Sequence, residues 1–241
     1  MSFTLPTEIV ELPSKGLLYP ETNPLSSGEV EIKYMTAKEE DILSNANYIQ
    51  QGIVLDKLLE SVIVSKINMN DLLIGDKNAI LIATRILGYG SEYKFVYNGE
   101  EQTVDLSQVE AKSIDESAYT RGLNEFSLTL PATNTPITFK LLTHGDEVKI
   151  TKELEGIRKI NKNESNELTL RLKHMITSVG ESREPKDIRE FVDNYLLARD
   201  ARALREYIRK VQPDVDLSFF PRGRETRVDI PIGLSFFWPD A

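Results

Sequence analysis

The feature that most restricts the fold is a change of hydrophobic period at Gly88-Tyr89-Gly90. Before it, Ile80, Leu81, Ala83, Thr84 and Leu87 recur at helical spacing from about Asp76; after it, Glu92 to Tyr97 alternates polar and apolar residues. Helical text is amphipathic at a period near 3.6 and strand text at a period of 2, so one chain carrying both in succession must combine helices with sheet. Asn98-Gly99 follows, then Gln102-Thr103-Val104-Asp105-Leu106. Asn-Gly between alternating runs supplies the two positive-φ residues of a type I′ turn, so a hairpin is predicted there.

The same reading extends outward in both directions. Residues 1–28 hold Pro6, Pro13, Pro20 and Pro24 and the turn text Pro13-Ser14-Lys15-Gly16, which predicts an extended arm that packs little on its own domain. Gly28 to Met35 alternates like a half-buried strand, and Thr36-Ala37-Lys38-Glu39 matches a capping box opening a helix to about Asn45. A second helix is expected over about 54–64, where Leu55, Leu58, Leu59, Val62 and Ile63 recur. A second, looser hairpin joins Phe126 to Leu130 with Ile137 to Leu142 across the region from Pro131 to Pro136. Helices follow at about 145–160, 164–179 and 185–211, the last with a break near Arg199. Leu217-Ser218-Phe219-Phe220-Pro221 is echoed by Leu234-Ser235-Phe236-Phe237-Trp238-Pro239, which reads as two paired edge strands. The fold class is α+β, with an arm at 1–28, helices plus antiparallel hairpins at 29–142, and a helical segment with a C-terminal β-hairpin at 143–241 that could form one unit with 29–142.

Charge and composition narrow the functional classes. The net charge is −9, and residues 1–150 hold 12 Lys+Arg against 22 Asp+Glu, while residues 151–241 hold 17 against 16. Nucleic-acid grips gain affinity from a basic excess, so this balance points to protein partners and no nucleic acid is expected. No apolar run approaches the length of a membrane span, and the opening MSFTLPTEIVELPS lacks the basic and apolar regions of a signal peptide, so neither is expected. With no cysteine, disulfides and Cys-based zinc sites are excluded by composition.

Candidate chemistry is sparse. His144 and His174 are the only histidines and lack zinc-ligand spacing, so surface or capping roles are expected for both, with no metal and no cofactor. Asp56/Glu60 and Glu39/Glu40/Asp41 offer carboxylate groups that burial would have to tune before they could act as acid and base. Gly88-Tyr89-Gly90 lacks the third glycine of a dinucleotide fingerprint. Arg199, Arg202, Arg205 and Arg209 lie on one helix face opposite Leu197, Ala201, Leu204 and Ile208, as a docking strip for acidic surface or nucleic acid or as a solvated face balanced by Asp200 and Glu206. Phe219, Phe220, Phe236, Phe237 and Trp238 put rings on both sides of a strand pair, one side for the core and the other for a second layer or a partner.

Three strings carry a resemblance: Leu12-Pro13-Ser14-Lys15-Gly16-Leu17-Leu18-Tyr19, the run from Glu31 to Leu43 (EIKYMTAKEEDIL), and Pro231-Ile232-Gly233-Leu234-Ser235-Phe236-Phe237-Trp238-Pro239. With Gly52 to Leu59 and Asn78 to Gly88 between them, the chain resembles the T4-like bacteriophage baseplate proteins described as hub subunits or hub assembly catalysts. The resemblance implies a non-catalytic component of a contractile tail, with hub or wedge proteins as partners, located in the virion baseplate and, during assembly, in the host cytoplasm. It also implies an alternative, a transient assembly chaperone absent from the mature particle; a carboxylate-based hydrolase is the remaining class. Relatives with Cys-x-x-Cys pairs near the hairpin have no counterpart at Asn98-Gly99-Glu100-Glu101, so zinc is not carried over. Partner contacts are expected at Pro13, Lys15, Leu17, Leu18 and Tyr19 of the arm and at Phe219, Phe220, Phe236, Phe237 and Trp238.

Overall fold

The structure, a computed structural model, describes residues 5–160, 166–221 and 225–237. It opens with β1 (Thr7–Glu11) paired antiparallel to β2 (Glu29–Lys33), followed by α1 (Ala37–Leu43), α2 (Ala46–Gln50), α3 (Val54–Val62) and α4 (Ile74–Tyr89). The hairpin β3 (Glu92–Tyr97) and β4 (Glu100–Asp105) comes next, then β5 (Phe126–Thr129), β6 (Pro136–Phe139), α5 (His144–Ile160) and α6 (Glu167–Met175). β7 (Ile176–Val179), α7 (Pro185–Asn194), α8 (Ala198–Val211), β8 (Ser218–Phe219) and β9 (Val228–Asp229) complete it. The chain is α+β, with eight α-helices and small antiparallel sheets among the described residues.

Local chemistry accounts for the elements the sequence announces. Asn98 and Gly99 adopt φ of 51° and 82° between Tyr97 and its partner Glu100, the geometry a tight β3–β4 turn demands. Thr36 caps α1 as a full capping box, with Glu39 returning to the Thr36 amide at 2.8 Å. α4 carries Ala79, Ile80, Leu81, Ile82 and Thr84 into the core and ends at Tyr89 with Gly90 as its cap, within the Gly88-Tyr89-Gly90 stop the sequence predicts. The carboxylate of Asp200, at the start of α8, accepts from the Ala132 amide at 2.7 Å and the Thr133 hydroxyl at 2.9 Å, pinning the β5–β6 turn to that helix.

Three expectations are corrected. The helix predicted over 164–179 ends at Met175, because Ile176-Thr177-Ser178-Val179, three of them β-branched, pairs with β6 as the third strand of a sheet ordered β5-β6-β7. The expected pairing of Leu217–Pro221 with Leu234–Pro239 is absent among the described residues: β8 pairs with β9, and Leu234–Phe237 forms a 3-10 turn. The segment 1–28, read as a loosely packed arm, is folded onto the domain from residue 5 onward, with Leu12, Leu18, Tyr19 and Leu25 at most 5% exposed. Those side chains share one core cluster with Ile80, Phe139, Leu204 and Phe236, so residues of all three expected segments pack together.

Candidate docking surface

The first segment is held by a buried polar knot. The Ser14 amide and hydroxyl donate to Asp76 Oδ1 and Oδ2 at 2.9 and 2.7 Å, and the Tyr19 hydroxyl donates to Asp76 Oδ2 at 2.6 Å while accepting from the Leu73 amide at 2.9 Å. Asp76 sits in the first turn of α4, where the exposed helix amides favour a carboxylate. Burial pushes its pKa up against the hydrogen bonds from Tyr19 and Ser14, and burial with the adjacent carboxylate pushes Tyr19 well above the usual phenol range. Next to Asp76, Gly75 lies so close to Pro213 that a Cβ would overlap its carbonyl oxygen. Of the expected arm contacts, Pro13, Leu18 and Tyr19 are therefore spent inside the fold, Leu17 is half-buried, and Lys15 stays exposed, bridging to Glu116 at 2.6 Å.

Beside this knot runs an open groove of about 350 Å³. Val10, Leu12 and Pro13 form one wall, Ala79, Ile82, Ala83 and Ile86 of α4 the floor, and Leu106, Val109, Ala111 and Val215 complete the lining, with Glu11, Lys15 and Ser107 polar at its margin. Small residues at Ala79 and Ala83, one helical turn apart, leave room above the helix. Apolar, partly open concavities are the usual places for a partner's side chain to insert. The sequence carries a signal for it, the small-large alternation Ala79, Ile82, Ala83, Ile86 on one face, but the opposing wall comes from the segment predicted as a loosely packed arm.

The C-terminal aromatics divide between core and surface. Phe236 and Phe237 are fully buried, Phe236 meeting Tyr93 edge-on at 4.8 Å, and Arg85, itself 1% exposed, donates from Nε to the Phe236 carbonyl at 2.8 Å and from its other nitrogens to Gly90 and Glu92 carbonyls at 2.7 and 3.2 Å. These two rings are corrected from partner contacts to core. Phe219 is half-buried against Phe95 at 5.1 Å; Phe220 is 58% exposed beside Arg227. Trp238 lies outside the described residues.

The titratable candidates are mostly absorbed by structure. Glu39 is fully buried and accepts from Ser61, Lys33 and Thr36; these bonds outweigh burial and hold its carboxyl at about 2. Glu40 reaches Tyr89, Asp41 is exposed, and Glu60 pairs with Lys57. The structure does bring Asp56 and His144 together, through Lys77: its Nζ lies 2.6 Å from Asp56 Oδ1 and 3.1 Å from His144 Nδ1. Burial and Lys77 lower the His144 pKa, and Asp56 opposes them. His174 pairs separately with Glu153. Among the described residues no group of three His, Cys, Asp or Glu could hold a metal ion. On α8, Arg199, Arg202, Arg205 and Arg209 are exposed and Arg202 pairs with Glu206; Leu197, expected on the apolar stripe, is instead 51% exposed.

Comparison of the chain with protein families, curated proteins and solved structures finds no match.

Proposed function

We propose that the chain is a structural or assembly component of the baseplate hub of a T4-like contractile-tailed bacteriophage, working by contacts with hub or wedge proteins and making or breaking no bond. The observation that carries the contact reading is the open apolar groove between β1 and α4, a concave surface with hydrophobic lining and few polar groups. The strings at 12–19, 31–43 and 231–239 support the particle assignment through their resemblance to the baseplate family. The acidic excess of residues 1–150 also suits a protein partner better than nucleic acid.

A hydrolase is the weaker reading. Its best carboxylate, Glu39, already accepts four hydrogen bonds and so has little capacity left for a substrate. The place of action is the virion baseplate, with the host cytoplasm during assembly. Quantitative peptide mass spectrometry of purified tails and of tail-assembly intermediates tests the assignment. Peptides of this chain in finished tails mark a retained part, and peptides in intermediates alone mark an assembly chaperone. Absence from both removes the baseplate reading.

A further inference from the structure

The β1–β2 ladder has a definite parity. The Leu12 amide donates to the Gly28 carbonyl at 2.8 Å and the Tyr34 amide to the Pro6 carbonyl at 3.3 Å, in a register that pairs Thr7 with Lys33 and Glu11 with Glu29. In an antiparallel pair, bonded and non-bonded residue pairs alternate, so the even residues of β1 face β2 and the N–H and C=O groups of Thr7, Ile9 and Glu11 point away from it. β2 obeys the same parity: the outward carbonyl of Glu31 accepts the Val64 amide at 2.9 Å and its outward amide donates to Ser65 Oγ at 2.8 Å. On β1 no strand occupies the corresponding position among the described residues, since this sheet contains only β1 and β2.

Two further observations say what would pair there. The groove adjoins this edge, with Val10, Glu11 and Leu12 in its lining and Ala83 in its floor, so alternate side chains of an added strand would enter an apolar space. On the opposite face Glu11 and Glu29 stand cross-strand in a non-bonded pair, where side chains approach most closely, and neither has an ion-pair partner among the described residues. Two carboxylates so placed repel, and a cation from outside relieves them. Ile9, 65% exposed on that face, leaves apolar surface for the same strand to cover.

We infer that the free edge of β1, with the groove beside it, accepts one extended segment of a partner protein as an added β-strand, apolar on the side facing α4 and basic on the side facing Glu11 and Glu29. Backbone hydrogen bonds supply the register and the alternate side chains the selectivity. The acidic residues that keep a bare edge from pairing indiscriminately become the selector for a basic strand. A second copy of this chain would bring another acidic edge and another empty groove, so it is the poorer occupant. The inference rests on the contact reading and names the chemistry of the partner.

The probe is a synthetic, fluorescently labelled peptide of about nine residues alternating lysine and valine, titrated against the full chain by anisotropy with amide exchange at Ile9 and Glu11 followed by NMR. Binding is expected, with slowed exchange at both amides. Ile9→Pro removes an outward N–H that β2 does not use, a substitution edge strands tolerate, and Ala83→Phe fills the groove floor. Each is expected to weaken binding roughly tenfold or more, while Glu11→Lys weakens this peptide and favours a glutamate–valine one. No binding, binding untouched by Ile9→Pro and Ala83→Phe, or dimerisation of the chain through this edge without peptide binding would each overturn the inference. Tails that incorporate the Ile9→Pro chain at the wild-type level also overturn it but leave the baseplate reading intact; absence of the wild-type chain from tails and intermediates removes that reading and leaves the peptide result standing.

Discussion

Replacing Tyr19 with phenylalanine removes one oxygen atom and tests whether the first segment belongs to the folded body. The hydroxyl makes two bonds, donating to Asp76 at 2.6 Å and accepting from Leu73 at 2.9 Å. A hydrogen bond to a buried charged group contributes about 1.5–3 kcal/mol, and an amide left without an acceptor costs about 1–3 kcal/mol. Asp76 keeps the Ser14 amide and hydroxyl as donors, so the losses overlap, and a net destabilisation of about 3 kcal/mol is expected. For a chain of this length that is roughly 6–12 °C in Tm. Calorimetry together with urea unfolding measures it, and exchange of the Leu73 amide should rise in step. A Tyr19→Phe chain melting within about 2 °C of wild type would refute the idea that the Ser14-Tyr19-Asp76 knot fastens this segment to α4.

Three other outcomes follow from the same structure. Glu39, held at about 2 in the fold, stabilises the protein above its ordinary carboxyl range and loses that contribution as pH falls from about 4.5 toward 2; Glu39→Gln should flatten the pH dependence of urea unfolding in that window by on the order of 2–3 kcal/mol. Gly75→Ala should cost about 1–3 kcal/mol by denaturant unfolding, since the new methyl must displace the Pro213 backbone. Arg85→Met removes the donors to the Gly90, Glu92 and Phe236 carbonyls, the last on a fully buried residue, and should cost about 2–3 kcal/mol, with faster amide exchange through 234–237.

What the sequence revealed was local. The Thr36–Glu39 capping box and the Asn98-Gly99 turn depend on residues a few positions apart, and both stand as read. What it concealed depended on distant partners. Ser14 and Tyr19 looked like arm residues because their acceptor, Asp76, lies 62 and 57 positions away. Ile176–Val179 continued a helical pattern until β6 offered a strand to pair with, and the two Phe-Phe pairs looked equivalent until Arg85 drew one into the core. The groove was legible only in half: α4 showed its small residues, while the opposing wall required knowing that β1 returns beside them.

On the proposed function, partner contacts fall on the face around β1 and the groove. Lysine cross-linking with mass spectrometry on purified tails and their assembly intermediates probes that face, because Lys15 lines the groove and Lys112, next to the groove-lining Ala111, is exposed. Links from these two lysines to a second protein of the particle are expected, and are lost on Ala83→Phe. Links formed only from lysines remote from the groove, unchanged by that substitution, would contradict that reading.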